Sequence, residues 1–121
     1  MGKTLLIVDD SASMRQLVSF ALKGAGYDVI AAANGKDAIG KLGGAKIDMV
    51  VTDLNMPEMD GITFIKELKK NAAYKFTPVV MLTTESQENR KAEGKLAGAS
   101  GWIVKPFTPD QLIDTVKRFV K

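Results

Sequence analysis

The chain has 121 residues, of which 45% are hydrophobic, and a formal net charge of +3, as expected for one globular domain with a buried core. It contains no cysteine and no histidine, which excludes disulfide scaffolds, thiol nucleophiles and metal sites built from thiolate or imidazole. Any bound metal must therefore take oxygen ligands, as magnesium, manganese and calcium do.

Five short apolar runs alternate with helical patterns along the chain. The predicted strands span residues 4–9, 28–32, 48–52, 79–82 and 101–104. Caps and breakers place the helix starts at Ser11 or Ser13, Asn34 with Gly35, Gly61, Ser86, and Thr108 with Pro109. Apolar strands separated by helices are typical of a parallel sheet covered on both faces. We predict an α/β fold, a flavodoxin-like (βα)5 sandwich of strand order 2-1-3-4-5, as one domain over residues 1–121.

The helical patterns differ in the strength of their apolar stripes. The first helix is predicted to bury Met14, Leu17, Val18, Ala21 and Leu22, the third Ile62, Phe64, Ile65 and Leu68, and the last Leu112, Ile113, Val116, Phe119 and Val120. The fourth offers only Ala92, Leu96 and Ala97, and Gly94 interrupts it at about 1 kcal/mol relative to alanine. This helix is either poorly packed or able to shift.

Polar side chains follow four of the five predicted strands. Asp9 and Asp10 come after the first strand, Asp53 after the third, Thr83 after the fourth and Lys105 after the fifth. Ligands of open α/β sheets bind outside the carboxyl ends of the strands, where the strand order reverses. Each residue alone has an ordinary explanation, such as a helix cap or a surface lysine. Their combination predicts a functional site at one edge of the sheet.

Three carboxylates at one edge repel each other. Two unit charges about 4 Å apart cost on the order of 4 kcal/mol at an effective dielectric constant near 20. The group must therefore raise a pKa or bind a cation, and Mg²⁺ suits a small set of oxygen ligands. A carboxylate can also act as a nucleophile and accept a phosphoryl group. Lys105 would offset the charge of that group, and Thr83 could donate a hydrogen bond to it.

Four segments carry a family resemblance: LLIVDDSASMRQ, VVTDLNMPEMDG, VVMLTTES and GASGWIVKPF. As a set they make the chain similar, over essentially its whole length, to the receiver domain of bacterial two-component signalling. In particular, the chain resembles the stand-alone chemotaxis response regulators of the CheY type. Such a protein assists only its own phosphorylation and dephosphorylation, so we expect no enzyme acting on an external substrate.

The resemblance implies a role for each site residue. Asp53 is the phosphoacceptor. Asp10, Asp53 and the backbone carbonyl of Asn55 are the expected Mg²⁺ ligands, with Asp9 supporting the metal through water. The remaining roles are Lys105 as the phosphate partner, Pro106 in the cis form after it, and Thr83 with Trp102 as the switch.

The resemblance also implies partners. We expect a histidine kinase of the chemotaxis type or a small molecule as phosphodonor, a target such as a flagellar motor switch protein, a phosphatase as a further candidate, and a monomeric chain. The expected target surface contains Lys91, Lys95, Trp102 and Val104. It departs from motor-binding members, which carry Tyr at position 102 and more apolar residues at 91 and 95. Thr84 and Glu85, together with Asn55, are candidates for tuning the lifetime of the phosphate.

Three alternatives stay open from the sequence. A phosphorelay carrier would pass its phosphoryl group to a histidine phosphotransfer protein. A phosphohydrolase of the haloacid dehalogenase type would have Asp-x-Asp after the first strand, whereas this chain has Asp9 followed directly by Asp10. A flavin binder would need a hydroxyl-rich phosphate loop there, and two carboxylates would repel the flavin phosphate.

Targeting signals and nucleic-acid binding are not indicated. The apolar stretch after Lys3 is about four residues long, against roughly 7–15 in a signal peptide, and no run approaches the ~18 of a membrane span. The lysines are scattered and lack interleaved aromatic residues. We therefore expect a cytoplasmic protein that neither inserts into membranes nor binds nucleic acid.

Overall fold

The computed structural model describes residues 3–56, 59–84 and 90–120. The strands are β1 (Thr4–Val8), β2 (Asp28–Ala32), β3 (Met49–Asp53), β4 (Val79–Thr83) and β5 (Gly101–Val104). The helices are α1 (Ala12–Gly24), α2 (Gly35–Leu42), α3 (Gly61–Lys70), α4 (Lys91–Ala97) and α5 (Pro109–Phe119), with a 3-10 turn at Ala72–Tyr74. The predicted alternation is confirmed. The boundaries differ slightly, because β3 and β4 include Asp53 and Thr83, whereas Asp9 lies beyond β1.

All strand pairs in the sheet are parallel, in the order β2-β1-β3-β4-β5, which confirms the predicted fold. The register determines where each strand ends relative to its neighbours. Val8 pairs with Thr52, so Asp9 and Asp53 each come one residue later at the same edge. Thr83 pairs with Val104, which places Lys105 directly after that pair. The polar residues therefore converge because the strands end together.

The sheet separates two apolar clusters. Residues alternate between its faces along each strand, since successive side chains point in opposite directions. One face packs against α2, α3 and α4 through Leu6, Val8, Val50, Val79 and Met81. The other packs against α1 and α5 through Leu5, Ile7, Met49, Val51, Val80, Leu82 and Ile103. Among the described residues, no helix is long and apolar enough to cross a bilayer.

The helix caps follow the sequence closely. Ser11 caps α1 by accepting a hydrogen bond from the Met14 amide at 3.3 Å, so Ser11 rather than Ser13 is the cap. Asn34 caps α2, and Thr108 with Gln111 forms a reciprocal capping box at α5. These caps satisfy backbone amides that have no partner inside the helix.

The predicted buried face of α1 is wrong at Leu17, which is 48% exposed. Val18 and Leu22 are buried, and Met14 and Ala21 pack beside them. Leu17 lies about 100° around the helix from Val18, outside this narrow stripe. Its neighbour one turn on, Phe20, is 80% exposed.

The predicted contacts of α4 are also partly wrong. Ala92 is exposed and Leu96 is 89% exposed, whereas Gly94 is buried. A Cβ atom on Gly94 would lie 3.0 Å from Met81 Sδ, so the helix backbone itself lies on the core. Ser86, predicted to begin this helix, and the candidate tuning residue Glu85 lie outside the described residues.

Candidate functional site

Three carboxylates meet at the carboxyl edge of the sheet between β1 and β3. Asp9, Asp10 and Asp53 each bring an oxygen atom within 4.8 Å of the other two. Asp9 and Asp53 are buried, and Asp10 is exposed. The site therefore has two desolvated anionic groups inside and one at its mouth.

Asp9 is held rigidly by its own neighbours. Its Oδ1 accepts a hydrogen bond from the Ser11 amide at 2.9 Å, and its backbone carbonyl accepts one from Arg15 Nη1 at 2.7 Å. Its Oδ2 is buried and has no hydrogen-bond partner among the described residues. A buried carboxylate oxygen without a partner is costly, so this position favours a cation or a bound water.

Lys105 places a positively charged side chain next to Asp53. Its Nζ lies 3.1 Å from Asp53 Oδ1, with both side chains largely buried. The backbone amide of Lys105 donates to the carbonyl of Thr83 at 2.6 Å, which extends the pairing of β4 with β5 by one bond. The following Lys105–Pro106 peptide bond is cis.

Thr83 contributes a buried hydroxyl group to the site. The residue is buried at the end of β4, and its Oγ1 has no hydrogen-bond partner among the described residues. Because buried hydroxyl groups are normally paired, this one is available to a group that enters the site.

Gly61 is a site residue that we did not identify from the sequence beyond its place at a helix start. A Cβ atom on it would lie 2.5 Å from the backbone oxygen of Asp53 and 3.0 Å from Leu54 Cα. The Gly61 amide donates to the carbonyl of Leu54 at 2.8 Å. Glycine thus lets α3 begin directly against the backbone of Asp53, and a lone glycine gives no sequence signal of such a contact.

A second unpredicted feature is an ion pair beside the carboxylates. Asp60 caps α3 through Oδ1, which accepts from the Thr63 amide at 2.8 Å, and its Oδ2 lies 3.0 Å from Arg90 Nη2. These two residues line a cleft of about 380 Å³ together with Asp10, Asn55 and Met56. Asn55 therefore lies at the mouth of the site, and its role as a metal ligand through its backbone carbonyl stays a prediction.

Burial sets the electrostatics of the cluster. It raises the pKa of the Asp53 carboxyl, while the hydrogen bond and charge of Lys105 act in the opposite direction. Burial also raises the pKa of Asp9, opposed by the Ser11 amide and assisted by the negative charge of Asp53. The charged forms of Asp9 and Asp53 are thus disfavoured unless a cation binds next to them.

The donor set fits a magnesium ion. All candidate ligands are oxygen atoms, Asp9 Oδ2 accepts no hydrogen bond from any described residue, and exposed Asp10 leaves one side open to water. Mg²⁺ characteristically binds through one or two carboxylates and keeps several waters. Asp9, Asp10 and Asp53 would hold the ion, and its charge would relieve their repulsion.

The predicted switch residue Trp102 and the predicted target surface lie on β5 and α4, whereas Thr83, the other switch residue, ends β4. Trp102 is half-buried, and a Cβ on Gly94 would lie 3.7 Å from its Nε1, so the indole packs under α4. Val104 is 38% exposed, Lys95 is exposed and Lys91 is partly exposed. These residues lie on neighbouring elements next to the site, and their predicted role remains a prediction.

Comparison with known proteins places this site in a family context. The response regulator receiver domain matches residues 5–117. The chain is 40% identical over 110 residues to the chemotaxis protein CheY1 of Helicobacter pylori, which is 89% of each chain. It is 35% identical to the phosphate regulon transcriptional regulatory protein PhoB of Pseudomonas aeruginosa over 100% of this chain, but it spans only 53% of PhoB. The structure of the chemotaxis response regulator CheY4 of Vibrio cholerae aligns with a TM-score of 0.93 at 47% identity, covering 98% of this chain and 99% of that one.

Proposed function

The chain belongs to the response regulator receiver domain family of two-component signalling, and we propose that it is a phosphorylation-activated switch with Asp53 as its phosphoacceptor. The observation that carries this proposal is the convergence of two other carboxylates and Lys105 on the buried carboxyl group of Asp53. An ordinary structural ion pair would not need Asp9 and Asp10 beside it.

The proposed reaction is a displacement at phosphorus by a carboxylate oxygen of Asp53. That oxygen forms the new bond, the bond between phosphorus and the donor's nitrogen or oxygen breaks, and the leaving group takes the bonding electrons. Lys105, already 3.1 Å from Oδ1, stabilises the negative charge of the transferred group. Bound Mg²⁺ would supply further charge neutralisation at the same edge.

The proposed conformational switch depends on the hydrogen-bond partners that a phosphoryl group on Asp53 would gain. It brings about −1.5 to −2 charges and three acceptor oxygens to Asp53. The buried Thr83 hydroxyl can donate to one of them, since none of the described residues competes for it. Movement of Thr83 at the end of β4 would change the packing of Trp102 and of the short helix α4 next to it.

We further propose that the output is the binding of a protein target to the surface formed by Lys91, Lys95, Trp102 and Val104. The donor would be a histidine kinase of the chemotaxis type, and the target a protein such as a flagellar motor switch component. A phosphatase would end the signal. The similarity to CheY1 and CheY4 supports a chemotaxis role. We propose that the protein acts in the cytoplasm as a monomer.

Intact mass spectrometry tests the phosphoacceptor directly. Incubation with acetyl phosphate and Mg²⁺ should add one phosphoryl group, and EDTA should prevent it. Asp53→Asn should remove the adduct, whereas Asp114→Asn, an exposed carboxyl on α5, should keep it. An adduct that survives Asp53→Asn, or no adduct with any donor, contradicts the proposal.

A second experiment tests the output. The phosphorylated chain is mixed with histidine phosphotransfer domains and, separately, with the candidate motor target. Phosphorylation-dependent binding to the target supports the proposed switch. Rapid loss of the phosphoryl group to a histidine, without target binding, would instead identify a relay carrier.

A further inference from the structure

The end of the molecule opposite the carboxylate cluster is strongly basic. Each helix carries Lys or Arg in its last turn: Lys23 in α1, Lys41 in α2, Lys69 and Lys70 in α3, Lys95 in α4, and Lys117 and Arg118 in α5. In a parallel βα fold these helix ends all lie at the amino edge of the sheet. Favourable interaction with the helix dipoles accounts for part of this pattern.

Three lysines outside the helices add to the charge at the same edge. Lys3 precedes β1, Lys46 precedes β3 and Lys75 precedes β4, and all three are exposed. Helix dipoles do not explain these lysines, because they lie in the loops. We call the exposed bases Lys3, Lys23, Lys46, Lys70, Lys75, Lys117 and Arg118 the basic end. Lys41 is left out because its Nζ is bonded to Asp37 and to the Ala31 carbonyl, and Lys95 because it belongs to the proposed target surface.

Hydrogen bonds show that the loops of the basic end are neighbours. The amide of Asp48 donates to the carbonyl of Thr4 at 2.8 Å, and the hydroxyl of Tyr74 donates to the carbonyl of Ala45 at 2.8 Å. The loops that carry Lys3, Lys46 and Lys75 are therefore joined side by side. The acids at this end, among the described residues, are Asp28, Asp48 and Glu67, with Asp48 bonded to the Thr4 amide and Glu67 paired with Lys70.

An exposed aromatic residue lies among these lysines. Phe76 is 89% exposed, and Lys75 Nζ lies 5.7 Å from the centre of its ring. The turn before it is well fixed: Tyr74 is buried, and Lys69 Nζ donates to the carbonyls of Tyr74, Lys75 and Thr77. The fold thus leaves a large apolar side chain in solvent, where it contributes almost no burial free energy to folding and can gain it by contact with a partner.

We infer that the basic end, together with Phe76 next to Lys75, is a docking surface for an anionic lipid bilayer. Lysines attract acidic headgroups, and a single aromatic ring flanked by lysines suits the boundary between headgroups and acyl chains. The carboxylate cluster lies at the opposite edge of the sheet, so it would face away from the membrane and stay open to a phosphodonor. This binding is peripheral and needs no membrane-spanning segment.

Vesicle flotation tests the inference with the full chain. Vesicles of phosphatidylglycerol and phosphatidylcholine in equal parts should bind it, and vesicles of phosphatidylcholine alone should not. Binding should fall steeply between about 50 mM and about 500 mM salt, because salt screens surface charges. Equal binding to both vesicle types, or none to either, would overturn the inference, and the second result would redirect the search to acidic protein surfaces.

Matched variants locate the surface. Phe76→Ala should weaken vesicle binding about tenfold, whereas Phe20→Ala, at the 80% exposed phenylalanine of α1, should leave it unchanged. Lys46→Glu with Lys75→Glu should weaken binding at least fivefold for each lysine, and Lys36→Glu with Lys66→Glu, which changes the net charge equally, should weaken it less. If the two variants of either matched pair lost vesicle binding equally, the attraction would be unspecific and the basic end would not be the docking surface. Each variant should still accept a phosphoryl group at the same rate as the unmodified protein. A failure of the lipid-docking inference is therefore distinguishable from a failure of the proposed phosphorylation of Asp53.

Discussion

Lys105 and Asp53 are 52 residues apart in the chain, yet their side chains meet at 3.1 Å. Asp53 ends β3 and Lys105 follows β5, with β4 between these strands in the sheet. The lysine must therefore reach across the end of β4, where Thr83 lies. A carboxylate, a cation and a hydroxyl with no hydrogen-bond partner among the described residues thus occupy three successive strand ends.

Replacing Lys105 by Gln should slow phosphorylation of Asp53 by acetyl phosphate by about 10²–10³-fold, because a preorganised charge on the transferred group is lost. Stopped-flow fluorescence of Trp102, the single tryptophan, can follow the reaction. Lys66→Gln, at an exposed position of α3, is the control and should react like the unmodified protein. An unchanged rate in Lys105→Gln would remove Lys105 from the proposed reaction.

Thr83→Val should stabilise the unphosphorylated protein by about 1 kcal/mol, since it replaces a buried hydroxyl that has no partner in the described part of the chain by a methyl group of similar size. Urea unfolding measures this gain. The same variant should still gain a phosphoryl group, but the emission of Trp102 should no longer respond. Thr115→Val removes a hydroxyl that donates to the Gln111 carbonyl on the exposed side of α5, and should be neutral within about 0.5 kcal/mol. A normal Trp102 response in Thr83→Val would show that Thr83 is not the switch.

The metal-free protein should become more stable as the pH falls from neutral towards the ordinary aspartate pKa of 3.8. Asp9 and Asp53 have raised folded-state pKa values, so their charged forms weaken folding at neutral pH, and this penalty disappears as they protonate. Asp37 and Asp60 have lowered pKa values, so their stabilising contributions are lost only below 3.8. Urea unfolding in EDTA across this range checks the sign, and a steady loss of stability from neutral pH would contradict it.

Magnesium should stabilise the protein at about pH 7.5 and progressively less towards about pH 5, because it binds the charged carboxylates and the shift scales as RT ln(1 + [L]/Kd). Thermal unfolding with Mg²⁺ and with EDTA measures the difference. Asp10→Asn should reduce it strongly, whereas Asp114→Asn on α5 should not. If Asp10→Asn keeps the full magnesium effect, the ion binds elsewhere.

Gly61→Ala should destabilise the protein by at least about 2 kcal/mol, since its Cβ would lie 2.5 Å from the backbone oxygen of Asp53 and the main chain would have to move. Gly40→Ala is the matched control, because the space around that helical glycine is open, and it should gain about 0.5–1 kcal/mol. Urea unfolding compares the two. Phosphorylation of Asp53 should slow only in Gly61→Ala, and equal stability of the two variants would contradict the proposed close approach.

Much of the site was predictable because strand ends are visible in a sequence. Apolar runs ending at Asp9, Asp53, Thr83 and Lys105 indicated both the sheet and its functional edge. Contacts that depend on how a helix approaches the site were not predictable. Gly61 against Asp53 and Arg90 with Asp60 depend on how α3 and α4 approach the site, and the exposure of Leu17 and Leu96 depends on which helix face the core covers.

The sequence by itself determined the alternation of strands and helices along the chain, the oxygen-only chemistry of any metal site and the polar residues that follow the strands, because local periodicity and composition are properties of the chain alone. Only the tertiary structure decided which polar atoms lack partners among residues 3–56, 59–84 and 90–120, such as Asp9 Oδ2 and Thr83 Oγ1, and which bases share one end of the molecule. Burial and charge clustering arise when segments remote in sequence pack together, and no local pattern encodes that proximity.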